Sequence, residues 1–210
     1  MAVPPLTSPS PDVAGDIPSH PDKPALRERL RAARADHVAH LGKDGAHAAA
    51  EAAARLILPH IPETAIVALY LAIHDELDPD PLVSMLAERG QPLALPALYD
   101  ATAMDFRRWA PGDAIERGPF RLRQPLASAP LVAPDLIVTP VVGFDRHGGR
   151  IGQGKSHYDR ALIRYPGAHR VGFAWSVQEI FGRLPHDPWD MPLHAVVTEN
   201  EWIPMPDVAA

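Results

Sequence analysis

Residues 135–144, DLIVTPVVGF, constrain the fold more than any other stretch of the chain. The run is almost wholly apolar and so reads as one strand covered on both faces, as in a parallel sheet between helices. It passes into a glycine-rich segment and then into a helix pattern from Tyr158 to Arg164. Strand, glycine loop and helix make the unit from which open α/β sheets are built. A second apolar run, 65–73, predicts another central strand and is far too short to cross a membrane. Shorter strands are expected at 92–95, 171–175 and 194–198. Helices are expected between them: one from the N-cap Asp22 through Pro24, Leu26, Leu30 and Ala33, an alanine-rich one over 44–58 that ends before Pro59, and one over 81–89 stopped by Gly90. The stretch 99–134 reads as irregular. The alternation predicts an α/β fold with a mostly parallel sheet.

Residues 1–21 are rich in Pro and Ser and lack periodicity, so a disordered tail is expected there. The remainder, 22–205, is expected to form a single domain. The 210 residues carry a net charge of −6, which offers no basic field to nucleic acid. There is no cysteine, which excludes disulfides and thiol chemistry. No basic segment precedes an apolar core at the N-terminus, so no secretory signal is expected. These features point to a cytoplasmic protein with no membrane or nucleic-acid partner. The eleven histidines show no HxxxH spacing joined to a carboxylate motif, so no zinc site is assigned.

The glycine-rich segment 148–160, GGRIGQGKSHYDR, holds four glycines within seven residues. Glycine lets backbone N–H groups converge on an anion, and the helix that follows adds a partial positive charge. Arg150 and Lys155 supply full charges. Together they predict a phosphate cradle. Gly149 to Ser156 also match the Walker A pattern literally. A true P-loop leaves its strand directly and is answered by a later strand ending in Asp. Here Asp145, Arg146 and His147 intervene, and the later strands end without Asp, so the match is read as coincidental.

Phe144-Asp145, Gly148, Arg150, Gly152, Gly154 and Tyr158-Asp159-Arg160 resemble the signature FDxxGxRLGxGxGYYDR of the 5-formyltetrahydrofolate cyclo-ligases. Ser156 stands where that signature has Gly, and His157 where it has an aromatic. Weaker segments follow the family order: Lys23-Pro-Ala-Leu26-Arg27, then 71–78 (LAIHDELD), Met104-x-Phe106, Trp109, Gly112-Asp113, Gly118-x-Phe120, Gln124-Pro125 in place of Glu-Pro, and Trp189-Asp190 in place of His-Asp.

The resemblance implies a three-layer α/β/α, Rossmann-like fold of the NagB/RpiA type. It implies ATP-dependent closure of 5-formyltetrahydrofolate, or a polyglutamylated form of it, to the 5,10-methenyl compound by a monomer using Mg²⁺. ATP contacts are implied for Lys23, Arg27, Arg150, Ile151, Gly152, Gln153, Gly154, Lys155, Ser156, His157 and Tyr158. Folate contacts are implied for Leu71, Glu76, Trp109, Gln153, Gly154, Lys155, Ser156 and His157. Lys155 and Arg150 would be catalytic, and Asp159 and Asp190 would hold Mg²⁺. Two other readings stay open: a sugar-phosphate enzyme of related fold, and a non-catalytic folate- or nucleotide-binding paralogue.

Overall fold

Leu93, Ala94 and Leu95 show how the sheet is covered. Successive side chains of a strand point to opposite faces. Leu93 and Leu95 join one apolar cluster and Ala94 joins another. Leu136 and Val138 against Ile137, and Val67 against Ala68, divide in the same way. Strands apolar on both faces need a helical layer on each side. The computed structural model describes residues 22–100, 103–205 and 208, so the tail expected over 1–21 lies outside the described residues.

The helices are α1 (Lys23–Ile57), α2 (Asp80–Glu88) and α3 (His157–Arg164). The strands are β1 (Val67–Ala68), β2 (Leu93–Leu98), β3 (Met104–Arg108), β4 (Ile115–Arg117), β5 (Arg123–Pro125), β6 (Leu136–Pro140), β7 (Gly143–Phe144), β8 (Arg150–Ile151), β9 (His169–Phe173), β10 (Ala195–Val197) and β11 (Trp202–Pro204). The main sheet has the order β11-β10-β9-β6-β1-β2-β3. Its five inner strands run parallel, and the edge strands β3 and β11 are antiparallel. The larger cluster packs α1 and α2 on one face; the smaller packs α3 on the other. The fold is therefore a three-layer α/β/α sandwich around a mostly parallel sheet.

Several expected boundaries move for physical reasons. The two helices expected at the start are joined as α1, with a break at Gly42. Gly42 has φ +66° and ψ 179°, a conformation that glycine adopts without steric cost. Asp22 makes no side-chain capping bond; Leu26 N–H bonds its backbone carbonyl at 3.1 Å. The run 135–144 is two strands rather than one. Pro140 closes β6, and the chain turns into β7, which pairs antiparallel with β8. Arg150 and Ile151 are thus ladder residues of a hairpin, which no P-loop allows, so the Walker match is coincidental. Only Val67–Ala68 of the run 65–73 is paired strand, because the chain soon turns, with Glu76 N–H bonding the Ile73 carbonyl at 3.2 Å. The stretch read as irregular, 99–134, contains β3, β4 and β5.

Candidate active site at the carboxyl ends of the strands

The first half of α1 carries Lys23, Arg27, Arg31 and Arg34 at spacings of three and four, which places them on one helix face. This face meets the segment between β8 and α3. Arg27 Nε donates to the Gly152 carbonyl at 2.9 Å. Arg31 Nη2 donates to the Gln153 side-chain oxygen at 2.6 Å and to its carbonyl at 3.3 Å. Gly154 has φ +91°, and a Cβ there would lie 3.4 Å from Arg27 Cζ, so glycine lets the backbone lie along the guanidinium. Burial and the neighbouring Arg31 lower the Arg27 pKa, while Asp190, Asp187 and Asp159 oppose the shift. Arg27, Arg31, Gln153, Gly154 and Lys155, with Pro24 and Glu28, line an open groove of about 570 Å³.

Behind the groove stand paired charges. Lys23 is 3% exposed and donates to Asp187 Oδ2 at 2.7 Å and to Asp190 Oδ2. Asp190 Oδ2 also accepts the Asp187 backbone N–H at 2.9 Å. Arg150 donates to Asp159 and, through Nε, to the Met191 carbonyl at 3.3 Å. Asp187, Arg31 and Arg34 carry no motif in the sequence. Their partners lie far away along the chain, so local patterns carry no trace of them.

Glu76 lies in the turn that follows β1. It is buried, and its carboxylate accepts the Ile73 N–H at 3.2 Å and Gln153 Nε2 at 3.1 Å. Burial pushes its pKa up, opposed by the Ile73 hydrogen bond, Arg34, Gln153 and His74. Gln153 therefore touches both the α1 cations and the Glu76 carboxylate.

Trp109 and Phe120 are placed differently. Trp109 sits in the larger apolar cluster, and its indole N–H has no partner among the described residues. Its ring is core. Phe120 takes the place by the loop instead: it is 54% exposed, the Lys155 ammonium lies 5.5 Å from its ring centre, and the His157 ring lies 5.8 Å away. The sequence signal for Phe120 was the Gly118-x-Phe120 pair. Ile151 packs with Leu30, Val142 and Leu184, and Tyr158 packs against the smaller cluster, so neither side chain faces the groove. Burial, with Glu76 nearby, raises the pKa of Tyr158. Leu71 packs against the larger cluster beside the Glu76 turn. Gln124 pairs with the Leu98 backbone, accepting its N–H at 3.0 Å and donating to its carbonyl at 3.3 Å. A glutamate could not make the second bond, so this departure from the family pattern serves the β2 edge.

Ser156, which replaces the signature glycine, has φ +51° and ψ 21°. That left-handed conformation costs a non-glycine residue about 1–2 kcal/mol, offset in part by the greater chain entropy of glycine. Ser156→Gly is expected to stabilise the fold by about 0.5–1 kcal/mol. A urea midpoint that stays put or falls would show that Ser156 is not strained.

Among the described residues no three His, Cys, Asp or Glu side chains converge as a metal cage. Asp159 and Asp190 each already bond a cation. Carboxylate oxygens are the kind of ligand a hard cation takes.

A Rossmann-like sandwich whose strand ends face a cationic groove and a buried carboxylate defines an α/β protein built to bind an anionic ligand there. A profile of the 5-formyltetrahydrofolate cyclo-ligase family matches residues 19–199. The 5-formyltetrahydrofolate cyclo-ligase of Escherichia coli (strain K12) is 31% identical over 189 residues, covering 84% of this chain and 100% of that protein. The solved structure of Aquifex aeolicus 5,10-methenyltetrahydrofolate synthetase superposes with a TM-score of 0.73 at 29% identity, over 90% of this chain and 95% of that one. A synthetase from Mycoplasma pneumoniae shares the fold, with a TM-score of 0.65 at 24% identity over 85% and 99% of the two chains. The chain belongs to the 5-formyltetrahydrofolate cyclo-ligase family.

Proposed function

We propose that this chain converts 5-formyltetrahydrofolate to 5,10-methenyltetrahydrofolate, with ATP cleaved to ADP and phosphate. The observation that carries the reading is Gln153, which bonds Arg31 on one side and Glu76 on the other. It joins a cationic groove suited to phosphates to a buried acceptor suited to ring N–H groups.

The formyl group on N5 is an amide, and its oxygen is a poor leaving group. Transfer of the terminal phosphoryl group of ATP to that oxygen forms a P–O bond and releases ADP. N10 then forms a bond to the formyl carbon and gives up its proton, and the C–O bond breaks as hydrogen phosphate leaves. Such a transfer needs positioning and charge neutralisation rather than a protein nucleophile. Arg27, Arg31 and Lys155 hold the phosphates, and Arg150 and Lys23 keep the flanking carboxylates in place. Glu76 anchors the folate ring, and Phe120 offers it a face. Asp159 and Asp190 would hold Mg²⁺, which neutralises phosphate charge. The protein acts as a monomer in the cytoplasm. Among the described residues no helix is long and apolar enough to cross a membrane. The methenyl product absorbs near-ultraviolet light, and its absorbance is expected to rise only when ATP and Mg²⁺ are both present. No rise, or a rise without ATP, would overturn the reading.

Glu76→Gln keeps the shape of the side chain and loses its charge. It is expected to weaken folate binding by about 1.5–3 kcal/mol, the scale of a hydrogen bond to a charged group, with ATP affinity within a fewfold. Because burial raises the Glu76 pKa, its protonated form adds stability below the ordinary carboxylate range. That contribution is lost as pH rises through the raised value. The variant should therefore keep its stability at neutral pH while losing folate affinity. Wild-type affinity should fall with acid at a pH above that of an exposed glutamate, and the variant should be flat there. Calorimetric titration of each ligand checks this. Lost ATP affinity with intact folate affinity would reverse the two half-sites.

A further inference from the structure

Arg34 has no role in the reaction as described so far. It is 4% exposed, and it shares the α1 face of Lys23, Arg27 and Arg31. Its Nε donates to Asp75 Oδ2 at 3.2 Å. Its Nη1 is closed off from solvent and has no hydrogen-bond partner among the described residues. A guanidinium cannot shed its proton, so this donor stays a donor. Buried orphan donors are rare in native folds and ask for a reason. The neighbour of Asp75 is Glu76, and Arg34 is close enough to act on its carboxyl. The other groups that face Glu76 are Gln153, His74 and the hydroxyls of Tyr70 and Tyr158.

We propose that Arg34 is a specificity-determining residue that reads the ring carbonyl of the substrate beside the N–H groups read by Glu76. The inference rests on the folate reading of Glu76. A reduced pterin presents an amino group, a ring N–H and a ring carbonyl in a row, which is donor, donor, acceptor. A carboxylate satisfies the two donors. The acceptor then needs a donor from the protein, and Nη1 is a charged one held ready by the Asp75 bond. Charge-assisted hydrogen bonds of this kind are stronger than neutral ones. Ligand binding would supply the partner that Nη1 lacks.

The test titrates 5-formyltetrahydrofolate and its 4-amino counterpart, in which the ring carbonyl is replaced by an amino group, into the wild type and Arg34→Met. The wild type is expected to prefer the 4-oxo compound by about tenfold or more, the scale of a hydrogen bond to a charged group. Arg34→Met is expected to lose about tenfold of that preference, the scale of a hydrogen bond to a charged group, and to keep the part set by Glu76, because the 4-amino ring also lacks the ring N–H, with ATP affinity unchanged. If the methionine variant does not fold, Arg34→Gln, which keeps an N–H without the charge, is expected to show a preference severalfold smaller than the wild type. Equal affinity of the wild type for both compounds, or a variant that weakens both by one common factor, would overturn the role of Arg34. Failure of the wild type to bind either compound would instead overturn the folate reading, and this inference with it.

Discussion

Lys23→Met is expected to lower stability by about 3–5 kcal/mol, because breaking a buried ion pair leaves uncompensated charge behind. Lys23 is all but sealed from solvent and bonds Asp187 and Asp190 together. Without it, two adjacent carboxylates share a partly buried pocket with no cation between them. Methionine keeps the length and the apolar stem, so packing changes little. Urea denaturation of the two proteins measures the loss. The triple variant Lys23→Met, Asp187→Asn, Asp190→Asn should recover much of it, since contacting residues couple strongly. A loss below about 1 kcal/mol would place this cluster with ordinary surface ion pairs. In that event the floor of the groove would not depend on Lys23.

Lys155→Ala is expected to raise the barrier to turnover by about 2–4 kcal/mol, the scale of one lost electrostatic stabiliser in a transition state. In rate this is roughly 30- to 1,000-fold. Lys155 lines the groove, and its ammonium rests over the Phe120 ring. An exposed cation–π contact of this kind contributes only about 0.5–1 kcal/mol. The variant should therefore fold with close to wild-type stability, and the loss should fall in kcat more than in KM. Wild-type turnover would remove Lys155 from the chemistry and leave the groove to Arg27 and Arg31.

The inner strands were legible because apolar runs bounded by glycine and proline mark strands buried on both faces. The loop was legible because four glycines and two cations sit within a few residues of one another. The edge strands were not. β3 carries Asp105, Arg107 and Arg108, and β11 is only Trp202, Ile203 and Pro204, too short to show an alternating pattern. An edge strand has a partner on one side only, so it needs no long apolar run. The break at Pro140 was visible in the letters, but an apolar run on either side of it masked the turn. The two aromatics show a different limit. Trp109 and Phe120 both lie in a region without strong periodicity, and only tertiary contact shows which ring meets Lys155 and which enters the core. The carboxylates show the same limit. Asp190 stood out by motif, yet its bond to Lys23 spans 167 positions. No local pattern could reveal that its charge is already answered.

The row on α1 also sets a length. From Lys23 to Arg34 the helix is uninterrupted, since its break comes only at Gly42. At 1.5 Å per residue this row spans about 16 Å. One rigid rod thus carries the cations of the groove at one end and the buried guanidinium beside Glu76 at the other. The helix works as a ruler between the two half-sites. Inserting one residue between Arg27 and Arg34 would move Arg34 by about 1.5 Å and swing it through about 100°, out of register with everything it touches. A single substitution along this rod removes one contact, whereas a change in its count displaces every contact beyond it.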